Sequence, residues 1–407
     1  MSGLLNESFE LPCGVKLQNR LCKAAMTERM SDAGCNPTEL HCELYRRFAR
    51  TGAGLQITGN VLVDEVHLES RGNVIMDESS SKEALKSWAS AAKSPDNQVW
   101  VQLNHAGRQT NRFHTQKPLA PSSIQLKKLG LFGRPKAMTE HEIMKVIQQF
   151  VYAAKLCQEV GFTGIQIHAA HGYLLSQFLS PKTNIRHDKW GGSIENRARI
   201  LIEIVKQVRK SVGPSYPISV KLNSADFLRG GFSEDDSLEV IKMLNEVGID
   251  LLEISGGTYE RLAFFEAGFE TKKDSTVKRE AYFIDFARRI RQVSDIPLMI
   301  TGGFRTRTFC EEVLASGELD IIGMGRPFIT NLDDISDFLA GSIDHLDARI
   351  IKSGFKALDD VAEGGYYAKQ LIRIAKGKKI QNNLGGISSA IFFLLHEMRP
   401  RFLFKRK

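Results

Sequence analysis

The feature that most restricts this chain is an alternation. Short apolar, β-branched runs recur at 21–25, 54–58, 99–103, 164–168, 218–222, 251–254, 297–300 and 320–323, and amphipathic helical patterns fill the spaces between them. A strand buried on both faces reads as a continuous apolar run, and joining two parallel strands takes a crossover of a dozen residues or more, usually a helix. The helical patterns lie at 38–50, 81–92, 139–160, 193–212, 233–247, 279–293 and 306–315. Three open on capping signatures: Thr139 with Glu142, Ser233 with Asp236, and Ser193 with Glu195 in the first turn. Gly161, Gly213, Gly248 and Gly317 stand where four of them should stop. Eight strand runs separated in this way predict an α/β chain closed into a (β/α)8 TIM barrel, with a doubly wound open sheet as the alternative. The barrel is expected over 1–335. Residues 336–407 then form a helical C-terminal extension, broken at Gly385-Gly386 and packed on the barrel or in a homo-oligomer contact. Its apolar run at 387–395 is too short to span a bilayer.

Composition excludes several classes of function. Hydrophobic residues at 42% and charged residues at 25% suffice for a sizeable core. The net charge of +8 is spread along the chain, with small clusters at Lys127-Lys128, 376–379 and Lys405-Arg406-Lys407, so no nucleic-acid stripe is expected. The six cysteines, at 13, 22, 35, 42, 157 and 310, form no CxxC pair and no tight zinc spacing. The N-terminus lacks a basic start followed by an apolar run. These features together predict a cytoplasmic protein with reduced thiols, no metal site and no membrane partner.

In such a barrel the chemistry sits where the strands end at their carboxyl side. The polar residues there are Met26-Thr27, Gly59-Asn60, Gln102 to Arg108, His168 to Tyr173, Lys221, Thr301 to Phe304 and Gly323 to Phe328. Glycine turns after the last two strands let backbone N–H groups approach phosphate oxygens, and Arg326 adds a fork suited to a phosphate. Neither GxGxxG nor a P-loop occurs, which disfavours a Rossmann site or an NTPase. His168 and His171 could be zinc ligands, satisfied core histidines or donors to a substrate oxygen, and spacing does not choose among these. Tyr173 supplies a phenol able to give a proton in a closed pocket.

The segments QLNHAGRQ, IHAAHGYLLSQFLSPKTNIRHDKWGGSIENRARI, TGGFRT and GMGRPF resemble the motifs of the Old Yellow Enzyme / NADH:flavin oxidoreductase family, over about residues 5–335. The resemblance implies a non-covalent FMN over the barrel mouth, reduced by NADPH or NADH. It implies that Ala25, Met26 and Thr27 line the flavin ring, that Gly59 packs against it and that Gln102 bonds its pyrimidine edge. Lys221 would sit near N1, while Gly303, Phe304, Gly325 and Arg326 would hold the phosphate. His168 and His171 would polarise the carbonyl of a small-molecule enone, and Tyr173 would protonate its α-carbon. Many relatives carry Arg where this chain has Lys221, and Pro where it has Ala25. Substrate shape is assigned to Arg29, Phe113 and the 122–134 loop. A flavin-binding sensor without turnover, and a dienoyl-CoA reductase-like enzyme lacking the iron-sulfur domain, are the alternatives. The second is disfavoured because 332–407 contains no cysteine.

Overall fold

The eight runs form a closed ring of parallel strands: β1 (Leu21–Lys23), β2 (Leu55–Leu62), β3 (Gln98–Asn104), β4 (Gly164–Ala169), β5 (Ile218–Asn223), β6 (Leu251–Ser255), β7 (Leu298–Thr301) and β8 (Ile321–Met324). Each strand pairs with its neighbours in sequence, and β8 closes onto β1 through Ile322 opposite Leu21. The computed structural model describes residues 3–128, 130–255 and 272–398, the side chains of 272–281 and 357 excepted. The Lys405-Arg406-Lys407 cluster lies outside the described residues.

The connecting helices are α1 (Glu39–Ala49), α2 (Lys82–Ala92), α3 (Glu140–Val160), α4 (Ile194–Val212), α5 (Glu234–Val247), α6 (Lys272–Arg291) and α7 (Arg307–Ala315). Both capping boxes form as the sequence predicts, with Thr139 accepting from the Glu142 amide and Ser233 from the Asp236 amide. Ser193 caps α4 through the Asn196 amide. Two expectations shift. Helix α6 begins at Lys272, seven residues before the predicted start. Strand β2 runs on to Leu62, so Gly59 and Asn60 lie inside it rather than after it, at a register shift between Ile57 and Asn60. A bulge of this kind re-aims side chains without ending the strand.

Side chains alternate along a strand, so one set of each strand faces the barrel axis. At the amino end that set is apolar: Cys22, Leu55, Ile57, Trp100, Leu251, Met299 and Ile321 pack together with Leu11 and Leu17 from a short hairpin, Phe9–Glu10 with Lys16–Leu17. Gly164 leaves room there for Trp100, whose indole a Cβ would strike. One step toward the carboxyl end the same faces turn polar, through Gln102, Gln166, Lys221 and Glu253, all buried. Outside the ring a large core of helix and strand residues, including Trp88, Phe150 and Phe286, seals the barrel.

After β8 the chain makes short helices at Pro327–Thr330 and Ile335–Ala340, then α8 (Asp359–Ala375) and α9 (Gly386–Met398). Helix α8 packs on α1 and α9 packs on α8, so the extension lies against the barrel. Among the described residues no helix is long and apolar enough to cross a membrane.

Candidate active site

The end of β4 supplies three rings from six residues. His168 is buried, and its ring centroid lies 5.1 Å from that of His171 and 4.9 Å from that of Tyr173, edge to face with both. His168 Nδ1 accepts the Ala170 amide at 3.2 Å, so a neutral ring carries its proton on Nε2. His171 sits at φ 60°, a left-handed conformation that costs a non-glycine residue about 1 kcal/mol. Two neighbours hold it there: its amide donates to Asn223 Oδ1 at 3.1 Å, and its carbonyl accepts Gln109 Nε2 at 2.8 Å. The ring is fixed by a 2.7 Å bond between Nε2 and Ser255 Oγ. Tyr173 is buried and its backbone starts the short helix Leu174–Leu179.

Burial above all, then repulsion from His171 when that ring is protonated and from Lys221, holds His168 well below the usual histidine range. Burial, with Lys221, lowers His171 to about 3. Both rings are therefore neutral at neutral pH, able to donate one hydrogen bond each without bringing a charge.

Beneath them runs the polar layer of the interior. Lys221 Nζ donates to Glu253 Oε1 at 2.7 Å, Gln166 Nε2 to Glu253 Oε2 at 2.8 Å, and Gln102 Nε2 to Gln166 Oε1 at 2.7 Å. Of these four, sequence reading singled out Gln102 and Lys221 and missed Gln166 and Glu253. The signal was present: a carboxylate in the apolar run LLEIS and an amide in GIQIH mark inward positions where a polar group must find a partner.

The ends of β7, β8 and β1 meet. Gly302 and Gly303 take φ values of 122° and 93°, and a Cβ on Gly302 would meet no atom within 4 Å, so the backbone there borders open space. Phe304 is buried against Phe309. Gly325 lies against Met26, and Thr27 Oγ1 bonds Asn60 Oδ1 at 3.1 Å. Ala25 packs beside the amino-end cluster. Arg326 is shared with the extension, its Nη1 lying 2.7 Å from Glu363 Oε1 on α8. Gly59 has a local reason to lack a side chain, because a Cβ would strike the Glu28 carboxylate and the Met26 carbonyl, while its amide donates to Glu28 Oε1 at 2.8 Å.

One cluster among the described residues has the composition of a metal site, Asp64 with His67 and His105. Its hydrogen bonds argue otherwise. The Leu119 amide donates to His67 Nε2 at 3.1 Å and the Gly107 amide to His105 Nδ1 at 3.0 Å, so in neutral rings the protons sit on the nitrogens facing Asp64. A metal-ligating histidine shows the reverse, donating outward from the distal nitrogen. The two rings flank a carboxylate: burial would raise Asp64, and the His67 bond at 2.9 Å together with His105 Nε2 at 3.6 Å reverse this and leave it far below its ordinary value.

The extension roofs one side of the mouth. Glu397 on α9 accepts from Ser70 Oγ and from the Arg71 amide at 3.2 Å and lies 3.6 Å from Arg29, whose guanidinium also stacks on Phe393 and pairs with Glu69 at 3.1 Å. Below α9 lies a chamber of about 160 Å³ lined by Arg29, Gln109, Lys128, Phe132, Val361 and Phe393, among others. Arg29 and the 122–134 loop thus share a cavity one residue from His171, whereas Phe113 is 53% exposed.

The sequence model of the NADH:flavin oxidoreductase / NADH oxidase family matches residues 11–337. The chain is similar to two fungal proteins named NADH-dependent flavin oxidoreductase iliE. Identity to that of Neonectria sp. (strain DH2) is 37% over 79% of this chain and 45% of the relative. Identity to that of Hypocrea jecorina (strain QM6a) is 37% over 79% and 85%. The chain thus spans about half the length of the first relative and most of the second. Among solved structures, the old yellow enzyme homologue from Zymomonas mobilis superposes with a TM-score of 0.71 at 25% identity, over 84% of this chain and 94% of that one.

Proposed function

We propose, from the premise that this chain belongs to the NADH:flavin oxidoreductase / NADH oxidase family and is an FMN oxidoreductase fed by a reduced nicotinamide, that it reduces the activated C=C bond of α,β-unsaturated carbonyl compounds. The observation that carries the reading is the group of two neutral imidazoles and one buried phenol at the end of β4.

The residues fit FMN. The left-handed glycines Gly302 and Gly303 at the end of β7, the first of them bordering open space, together with Arg326 after β8, suit a phosphate, and Lys221 and Gln102 offer a cation and an amide to a pyrimidine edge. The bound cofactor supplies the hydride chemistry, taking electrons from NADH or NADPH and passing them on to the alkene. The chain supplies the rest. His168 offers its Nε2 proton to the carbonyl oxygen, and His171 shares the load once Ser255 Oγ donates to its Nε2 and leaves the proton on Nδ1. Because neither ring is charged, polarisation costs no desolvated cation. Tyr173 then gives its proton to the α-carbon, a transfer worth ~10²–10⁴ in rate. The chamber beneath α9 receives the remainder of the substrate.

An absorption spectrum of the purified protein, followed by anaerobic NADH or NADPH and then 2-cyclohexenone, tests this. A flavin band that bleaches with the nicotinamide and returns with the enone is expected. Flavin that bleaches but is reoxidised only by oxygen would reject the enone reading and leave the flavin oxidoreductase standing. Bound flavin that neither nucleotide bleaches would favour a non-catalytic flavin protein.

A further inference from the structure

Glu253 has no part in the chemistry described above, yet it stands at the centre of the polar layer. It is fully buried on β6, in register with Lys221 on β5, while Gln102 on β3 is in register with Gln166 on β4. We propose that Glu253 is a positioning residue that sets both the charge and the amide orientation of the surface facing the flavin pyrimidine ring, and so lowers the flavin's reduction potential. The inference rests on FMN lying against Lys221 and Gln102.

Two arguments lead to it. The first is charge. A cation near the pyrimidine edge stabilises the anionic reduced flavin, and a carboxylate 2.7 Å from Lys221 Nζ offsets that cation within the same buried layer. The second is direction. A carboxylate only accepts hydrogen bonds, so Gln166 must turn its Nε2 toward Glu253 Oε2, at 2.8 Å, and its second proton toward Ser219 Oγ, at 3.1 Å. That leaves Gln166 Oε1 to accept from Gln102 Nε2 at 2.7 Å. Gln102 Oε1, which accepts from none of the described residues, is then the atom presented to an imide N–H such as that at flavin N3. One carboxylate thereby orients two amides across three strands.

The test is the midpoint potential of bound FMN, with the FMN dissociation constant, in the wild type, Glu253→Gln and the double variant Glu253→Gln/Lys221→Met. Glu253→Gln leaves Lys221 unbalanced and lets Gln166 and Gln102 turn over. Its reduced-to-oxidised ratio at a given potential should rise at least tenfold, about 30 mV for a two-electron couple, while FMN binds oxidised enzyme more weakly. The double variant has no net charge in the layer, as in the wild type, and should return toward the wild-type potential. It also keeps the idea falsifiable if the lone lysine prevents Glu253→Gln from folding. A Glu253→Gln potential and FMN affinity equal to those of the wild type, or a double variant whose potential stays as high as that of Glu253→Gln, would overturn the proposal. A wild type that binds no FMN would overturn the flavin reading beneath it as well.

Discussion

The two sides of the barrel mouth are built differently. The ring cluster of His168, His171 and Tyr173 comes from six consecutive residues on a strand end, and its supports are Asn223 and Ser255 on the next two strands and Gln109 just after β3. The roof joins Arg29, Glu69 and Ser70 to Glu397 and Phe393, residues more than 300 positions apart. The first is held by the ring of strands itself. The second depends on one amphipathic helix keeping its seat. On the proposed reading the barrel side serves the chemistry, which tolerates little displacement, and the roof the shape of the cavity. The family match ends at residue 337, before the extension that supplies Val361, Phe393 and Glu397.

Three experiments would break or sharpen this contrast. Tyr173→Phe should have the largest effect. Enone-dependent reoxidation should slow by ~10²–10⁴ while reduction by the nicotinamide keeps its rate, as read by stopped-flow absorbance of the two half-reactions. Equal slowing of both halves would make Tyr173 a support of its loop rather than a proton donor. Next comes Glu397→Gln, which removes a buried charge from Arg29, Ser70 and the Arg71 amide at a cost of about 1–3 kcal/mol. The loss should appear as faster proteolysis near Gly385-Gly386 and a changed preference between small and bulky enones, with flavin reduction unaltered. Slowed flavin reduction would show that roof and barrel act as one unit.

The smallest effect concerns pH. His168 and His171 are harder to protonate in the folded chain than in the unfolded one, where the ordinary value of 6.5 applies. Above pH 6.5 neither state binds the proton and stability is full. As pH falls below 6.5 the unfolded chain takes up protons that the folded chain refuses, so stability declines, toward about 3 for His171, by at most ~1.4 kcal/mol per pH unit and ring. His41, lowered to about 4 by burial, adds to the slope. Urea unfolding between pH 7 and 5 should show a shallower decline in His171→Gln and an unchanged decline in Glu397→Gln. An equal slope in wild type and His171→Gln would mean that the ring is already protonated in the fold.

Much of the site was legible because its residues lie on the inward phase of strands whose apolar runs are visible. Gln102, His168 and Lys221 could be placed that way, and their family motifs assigned roles to them. Gly59 was expected after its strand and against the flavin; it lies inside β2, and the Glu28 carboxylate that fills its Cβ space arrives from a different strand end. Arg326 was read as a phosphate ligand alone, with nothing local to announce Glu363 on α8.

The division follows the range of the forces involved. Strand and helix runs, capping boxes and left-handed glycines arise from interactions within a few residues, so the sequence by itself determined the eight units, and with them the barrel and the end at which a site can lie. The partner of a buried charge is chosen by ring closure and helix docking. Lys221 meets Glu253 because β5 and β6 are adjacent in register, and Arg29 meets Glu397 because α9 folds back over the mouth. Neither pairing has a periodicity or a spacing to betray it, and only the tertiary structure decided them.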